Sequence, residues 1–141
     1  MSIMDEQDRR EVQAQLKALT GPVKLVNFTQ ELACQYCREA EQLLREVQEL
    51  SDKISLEVYN FQLDKEMVAE YRVDKVPATV VEGSKDHGIR FYGIPLGYEF
   101  LPFLEAIKDV SRGSADLTAE TRAALAEVQE PIHLQVFTTP T

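Results

Sequence analysis

Two cysteines, Cys34 and Cys37, are the only thiols of the sequence and stand between an apolar, strand-like run at residues 23–29 and a helix-like run at residues 38–50. Where a strand turns into a helix, the helix N-terminus offers unpaired backbone N–H groups and the positive end of its dipole, which stabilise a thiolate. A spacing of three residues is close to one helical turn, so we expect both sulfurs on one face and within reach of each other. The pattern therefore predicts a redox dithiol in which Cys34 attacks a substrate disulfide and Cys37 completes the exchange.

A structural zinc site is the alternative for the same two residues. Zinc needs about four ligands, and the other candidates, His87 and His133, lie far along the chain in a predicted turn and a predicted strand. This favours the redox interpretation, for which we expect no metal and no cofactor apart from the Cys34–Cys37 disulfide.

The 141 residues are enough for one domain, or for one domain and a short piece of another, and their composition is that of a globular protein. A net charge of −9 argues against nucleic-acid binding, which depends on clustered Lys and Arg. No apolar run approaches the roughly 20 residues that span a bilayer, and residues 1–6 lack the basic start of a secretory signal. We therefore expect a cytoplasmic protein with no membrane partner, in which an isolated C-x-x-C is more often catalytic or metal-binding than structural.

Apolar periodicity and turn residues predict eight elements in the order α-β-α-β-α-β-β-α. Helices are predicted at residues 5–19, 38–50, 64–71 and 99–111, and strands at residues 23–28, 54–61 and 89–92. Residues 73–81 are predicted as a loop, a proline and a further, β-branched strand. This order is typical of an α/β protein with a central mixed sheet and helices on both faces. On the second helix, Leu43, Leu44 and Val47 form the apolar face, and we expect Glu46 and Glu49 on the exposed face.

The end of the sequence resembles its beginning, since a shift of 109 positions places Pro22 on Pro131. The other coincident pairs are Leu16 and Leu125, Val23 and Ile132, Leu25 and Leu134, Phe28 and Phe137, and Thr29 and Thr138. We interpret residues 1–112 as one complete unit and residues 113–141 as a helix and a strand that open a second copy. Two generic helix–strand segments that coincide by chance are the alternative.

Two short motifs, residues 34–37 (Cys-Gln-Tyr-Cys) and residues 76–79 (Val-Pro-Ala-Thr), resemble the thioredoxin/glutaredoxin superfamily. More narrowly, the sequence is similar to the N-terminal unit of the glutaredoxin-like protein disulfide oxidoreductases, which carry two thioredoxin-fold units in tandem, and residues 93–100 strengthen this match. The resemblance covers nearly all of the chain and implies a thioredoxin-like fold with a four-stranded mixed sheet. In that family the second unit continues from Phe-Thr-Thr-Pro-Thr into its own C-x-x-C, so we expect residues 137–141 to belong to an incomplete second unit.

The resemblance also implies roles for residues around the dithiol. Pro77 matches the cis-proline of the superfamily, and the backbone of Val76 is expected to pair with an extended substrate beside Cys34. An ordinary trans proline at the start of a strand is the alternative. Gln35 and Tyr36, neither of which is charged, are expected to set the reduction potential.

Other positions bear on the site or on its support. Gly93 is expected to allow close backbone approach beside the site, with a plain hairpin exit as the alternative. Asn27 stands where thioredoxins bury an acidic residue that assists proton transfer, and an amide cannot titrate in that role. We expect Lys24 to be a surface charge, and Tyr98 and Phe100 to pack on the core.

The leading hypothesis is an enzyme of cell redox homeostasis that exchanges disulfides with protein substrates and draws electrons from a thioredoxin-reductase-like or other donor. A non-catalytic thioredoxin-fold docking module is one alternative, and a metal or iron–sulfur carrier that shares the dithiol between two chains is another. The apolar strand expected at residues 132–137 has no complete sheet of its own, which favours docking onto the first unit or a homodimer.

Overall fold

A computed structural model describes residues 1–139 of the chain and confirms the predicted order of the first eight elements. The helices are α1 (Glu6–Leu16), α2 (Cys37–Glu49), α3 (Lys65–Glu70), α4 (Phe100–Arg112) and α5 (Ala119–Ala126). The strands are β1 (Val23–Thr29), β2 (Ile54–Asn60), β3 (Ala78–Glu82) and β4 (Arg90–Tyr92). A short 3-10 turn, Gly97–Glu99, leads into α4.

The four strands form one mixed sheet in the order β2-β1-β3-β4, which confirms the predicted fold class. Strand β1 lies at the centre, parallel to β2 and antiparallel to β3, and β4 is antiparallel to β3. Phe28, next to the end of β1, pairs with Ala78, the first residue of β3. This register brings the loop after β1, which carries Cys34, to the same edge of the sheet as Pro77.

Helices cover both faces of the sheet, but unequally. One face, which carries Leu25 and Val81 and is called the three-helix face below, packs against α1, α2 and α4. The buried side chains that these helices contribute are Val12, Leu16, Leu43, Leu44, Val47, Phe103, Leu104, Ile107 and Val110. The opposite face carries Val26 and Phe28 and packs against α3 and the residues that follow it. Full burial of one such side chain stabilises the fold by about 1.5–3 kcal/mol. Because more buried side chains lie on the three-helix face than on the opposite face, most of the hydrophobic core is on the three-helix face.

Glu46 lies on the buried side of α2, so the prediction that it would be exposed is wrong. The backbone N–H groups of Ile3 and Met4 donate to its carboxylate at 2.7 and 3.0 Å. Burial alone would raise the pKa of Glu46, but hydrogen bonds from Gln42, Met4, Ile3 and the Ser2 hydroxyl outweigh it and lower that pKa to about 2. The charged carboxylate therefore holds the N-terminal segment against the core.

The C-terminal segment agrees only in part with the prediction. Helix α5 forms where expected, with Thr118 as its N-cap, and the Thr121 backbone N–H donates to the Thr118 hydroxyl at 3.1 Å. The strand predicted at residues 132–137 is not formed: these residues have no regular secondary structure and are exposed. A strand needs a partner backbone to satisfy its polar groups, and within residues 1–139 this segment has none in the sheet. Residues 140 and 141, part of the expected second unit, lie outside the described residues.

Candidate active site

Cys34 and Cys37 are joined by a disulfide, with their Cα atoms 5.6 Å apart. The two sulfurs are within reach of each other, as predicted, but helix α2 begins only at Cys37, so Cys34 precedes the helix rather than lying in its first turn. Residues 34–36 instead form a bend that follows Ala33, whose φ of 56° lies in the left-handed region. The N-cap residue, Tyr36, makes no side-chain capping hydrogen bond. The first N–H groups of α2 therefore lie beside the disulfide without a side-chain cap, where they favour a negatively charged sulfur.

The two sulfur-bearing residues differ in exposure. Cys37 is 2% exposed, whereas Cys34 is partly exposed. Gln35 is exposed between them, and the Tyr36 side chain is 48% exposed. A substrate that approaches from solvent therefore meets Cys34, while Cys37 faces the interior.

Pro77 lies at the same edge of the sheet, immediately before β3. The Val76–Pro77 peptide bond is cis, Pro77 is buried, and Val76 is partly exposed. The backbone N–H of Gly93 donates to the Pro77 carbonyl at 2.9 Å, which ties the end of β4 to this loop. Gly93 has a φ of 87°, and, apart from Gly93 and its two chain neighbours, no heavy atom of the described residues lies within 4 Å of the point where a Cβ would stand. The left-handed backbone, rather than close approach of another part of the chain, accounts for the glycine.

An apolar groove, called the tyrosine groove below, lies on one side of the disulfide. It is lined by Tyr36, Tyr92, Gly93, Ile94, Leu96, Tyr98 and Glu99, and by Thr138 and Thr139 near the end of the chain. Tyr98 is 82% exposed, so the prediction that it packs on the core is wrong, whereas Phe100 packs against the core as predicted. The reason is local: Tyr98 lies in the 3-10 turn, and the buried face of α4 starts only after it.

A second concavity lies on the other side of Cys34 and is mostly polar. It is lined by Thr29, Gln30, Glu31, Leu32, Cys34, Gln35, Arg38, Glu39, Glu41 and Asn60. Glu31 is exposed there. The disulfide thus separates an aromatic surface from an acidic one.

Two buried polar side chains lie on the sheet beneath this edge. Asn27 is fully buried, as its expected position requires, and its Nδ2 donates to the Ala78 carbonyl at 3.2 Å. Thr79, the last residue of the Val-Pro-Ala-Thr motif, had no predicted role; it is opposite Asn27 in the β1–β3 register and is also fully buried. Within residues 1–139 neither Asn27 Oδ1 nor Thr79 Oγ1 has a hydrogen-bond partner.

Lys24 is partly exposed, and its charge is paired rather than free. Its Nζ lies 2.7 Å from Glu82 Oε1 and 3.7 Å from Glu57 Oε2. The hydrogen bond with Glu82 is the main cause that raises the pKa of Lys24, and burial opposes it. Lys24 lies near the start of β1, at the end of the sheet away from Cys34, so this ion pair supports the fold rather than the site.

The Lys24→Ala variant is expected to lose about 2 kcal/mol of unfolding free energy, because Glu82 would keep a buried charge without its cation. Urea unfolding followed by circular dichroism measures this. Lys53→Ala is the matched control, since Lys53 is exposed and its loss should change stability by less than about 0.5 kcal/mol. Equal stability of the two variants would contradict a supporting role for the Lys24–Glu82 pair.

Neither a membrane-spanning helix nor a cluster of metal ligands is found among the described residues. Within residues 1–139, no helix is both long enough and apolar enough to cross a bilayer. The same residues contain no group of three or more His, Cys, Asp or Glu side chains that could hold a metal ion. Both His87 and His133 are exposed.

Comparison with known proteins relates this geometry to a family. The family model described as a thioredoxin domain matches residues 23–105, which include the disulfide and Pro77. No curated protein matches the chain.

Solved structures show the same architecture. A protein disulfide oxidoreductase from Aeropyrum pernix K1 is 26% identical, with a TM-score of 0.78, over 89% of this chain and 56% of that chain. The NTD_N/C domain of alkylhydroperoxide reductase AhpF from Enterococcus faecalis is 25% identical, with a TM-score of 0.76, over 85% of this chain and 58% of that chain. A thioredoxin from Trichomonas vaginalis, 18% identical with a TM-score of 0.50, covers 71% of this chain and 91% of that chain and shares the fold. The chain thus spans less than two thirds of the first two structures.

Proposed function

Because this chain belongs to the thioredoxin domain family, we propose that it is a protein thiol–disulfide oxidoreductase that exchanges disulfides with protein substrates through Cys34 and Cys37. The observation that carries this proposal is the disulfide itself, which joins a partly exposed Cys34 to a buried Cys37 at the start of α2. The solved structure from Aeropyrum pernix, described as a protein disulfide oxidoreductase, supports the same chemistry. No cofactor beyond the disulfide takes part in this proposal.

The cycle follows from the positions of the two sulfurs. In the reduced protein, the Cys34 thiolate attacks one sulfur of a substrate disulfide, and the other substrate sulfur leaves and takes up a proton. Cys37 then attacks Cys34 Sγ in the mixed disulfide, so that the first substrate sulfur leaves as a thiol. Two electrons pass to the substrate, and the Cys34–Cys37 disulfide is restored. A thioredoxin-reductase-like protein or another dithiol donor returns the two electrons.

Substrate contacts are proposed beside the dithiol, on the side of Pro77 and the tyrosine groove. An extended segment of the substrate would pair with the backbone of Val76 before Pro77, and apolar side chains would lie in the tyrosine groove against Tyr36 and Tyr98. Gln35 and Tyr36 would set the reduction potential through the environment of the Cys34 sulfur. Gly93 would leave the space beside Pro77 open to the substrate backbone.

The domain organisation stays a proposal as well. Residues 1–112 would form the redox unit, and residues 113–141 would open a second unit of the tandem kind. Helix α5 supports this, and so does the match to the Aeropyrum pernix structure, because 89% of this chain is more than residues 1–112 alone supply. A cytoplasmic location and pairing of two chains through residues 132–137 complete the proposal.

The Cys37→Ser variant tests the cycle directly. It should still attack a protein disulfide through Cys34 but should stop at the mixed disulfide, because no second thiol is present to resolve it. Insulin is a suitable substrate, and mass spectrometry under non-reducing conditions should find the adduct on Cys34. The wild-type protein, reduced beforehand, should release both insulin chains. The proposal would be contradicted if the folded wild-type protein did not reduce insulin and the folded Cys37→Ser variant formed no adduct. Iron or zinc bound in stoichiometric amount would instead favour a metal or iron–sulfur carrier.

A further inference from the structure

Asn27 and Thr79 form a buried polar pair on the three-helix face of the sheet. Alternate residues of a strand share a face, so Asn27 lies on the face of Leu25, and Thr79 lies on the face of Val81. The two are directly opposite each other between β1 and β3, and both are fully buried. Two unpartnered polar atoms, Asn27 Oδ1 and Thr79 Oγ1, therefore face a helix rather than solvent.

The helix above this pair is α2, and its first turn is the part that covers them. Because β1 and β2 are parallel, α2 runs back along β1 from the edge where β1 ends. A helix advances about 1.5 Å per residue and a strand about 3.3 Å, so Leu43 and Leu44 reach the level of Leu25 while the first turn stays near Asn27. The buried residues of that first turn are Cys37 and Ala40. Ala40 has only a methyl group, so it supplies no polar partner for the two unpaired atoms.

The unpaired atoms of Asn27 and Thr79 have the hydrogen-bonding capacity to bind one water molecule. Asn27 Oδ1 accepts, and the Thr79 hydroxyl both donates and accepts. Buried polar groups are satisfied almost without exception, and ordered waters supply the partner where the protein does not. A water bound to both atoms keeps a further hydrogen to donate, and Cys37 is the buried residue of α2 that has a sulfur to receive it.

We propose that Asn27 and Thr79 hold a water molecule that stabilises the sulfur of Cys37 when the disulfide opens. This rests on the proposed function. When a thiolate of a reductant attacks Cys34 Sγ, a new S–S bond forms, the Cys34–Cys37 bond breaks, and its electron pair stays on Cys37 Sγ. The water donates a hydrogen bond to this thiolate and keeps its proton. A buried thiolate without such a donor would raise the free energy of the transition state. Asn27 and Thr79 are thus positioning residues for the leaving sulfur.

The Thr79→Val variant tests the proposal, because valine keeps the shape of threonine and removes the hydroxyl. Reduction of its Cys34–Cys37 disulfide by dithiothreitol should slow about tenfold, since a hydrogen bond to a charged group is lost. Alkylation of Cys34 by iodoacetamide in the reduced protein should keep the wild-type rate, because that reaction does not release Cys37. Thr79→Ser, which retains the hydroxyl, should keep most of the wild-type rate of reduction.

Unchanged reduction by dithiothreitol in Thr79→Val would overturn the proposal, and so would an equal fall in both rates, which indicates a general distortion. A crystal structure of the wild-type protein at atomic resolution gives a second measurement that does not depend on any variant. An ordered water within hydrogen-bond distance of Asn27 Oδ1 and Thr79 Oγ1 is expected, and a dry site would overturn the proposal. Failure of the wild-type protein to reduce insulin would instead count against the proposed function.

Discussion

Replacement of Cys34 by serine is expected to abolish disulfide exchange, with a loss of more than about a thousandfold in the rate of insulin reduction. A serine hydroxyl does not ionise near neutral pH, so the variant has no nucleophile where substrates approach. Cys37 cannot replace it, since Cys37 lies in the first turn of α2 and is only 2% exposed. Insulin precipitation in the presence of dithiothreitol, compared with the uncatalysed reaction, measures the effect.

Two controls make this result specific to the sulfur. Cys37→Ser should fail to turn over but should still form the adduct on Cys34, so the two cysteine variants differ in kind. Glu31→Gln changes an exposed carboxylate in the same loop and should keep activity within about threefold of wild type, because an exposed charge interacts weakly with its surroundings. More than a tenth of wild-type activity in Cys34→Ser would show that Cys34 is not the attacking group.

Replacement of Glu46 by alanine is expected to cost about 3 kcal/mol of unfolding free energy. The variant would leave the Ile3 and Met4 N–H groups without their acceptor, and Met4 is only 4% exposed in the folded chain. Urea unfolding measures the loss. Glu49→Ala is the matched control on the same helix, since Glu49 pairs with Arg9 at 3.0 Å but its side chain is 65% exposed. That surface pair should contribute less than about 1 kcal/mol, and equal losses in the two variants would contradict the anchoring role of Glu46.

The contribution of Glu46 should also depend on pH with a definite sign. Folding lowers its pKa from 4.5 to about 2, so the folded state favours the ionised form. The stabilisation is therefore complete above about pH 5 and is lost as the pH falls towards 2. Glu46→Gln removes the titrating group, and its stability deficit relative to wild type should shrink over this range. A deficit that stays constant from pH 6 to about pH 3 would argue against the ionised carboxylate as the acceptor.

Much of this architecture could be predicted because its signals are local. The apolar run of β1, the C-x-x-C at the start of a helix and the proline before β3 each combine a short pattern with a backbone requirement. These patterns place the dithiol and Pro77 on neighbouring elements. The pairing of β1 with β3 then brings the dithiol and Pro77 to the same end of these two strands. The sequence indicated this proximity only through the resemblance to a family.

The errors arose where a distant part of the chain decides the environment. Glu46 follows Leu43 by three positions, so it falls on the apolar side of α2, and the N-terminal residues that satisfy it there are remote in sequence. The ion pair of the partly exposed Lys24 with Glu82 on β3 was likewise not predicted. The spacing around Glu46 was a signal that could have been used, whereas nothing near Lys24 indicates Glu82. Residues 132–137 have a strand-like composition, but a strand also requires a neighbour.

The central position of β1 has a consequence for the order in which function arises during synthesis. Cys34 and Cys37 are three residues apart, so the two thiols can be oxidised to a disulfide as soon as that stretch of chain is made. Pro77 comes close to the two cysteines only when β3 pairs with β1. This non-local pairing closes a loop of about fifty residues, and the entropy that the chain loses on loop closure delays such contacts. A nascent chain therefore carries the dithiol before Pro77 is in place, and the proposed contacts with a substrate can form only after β3 has paired with β1.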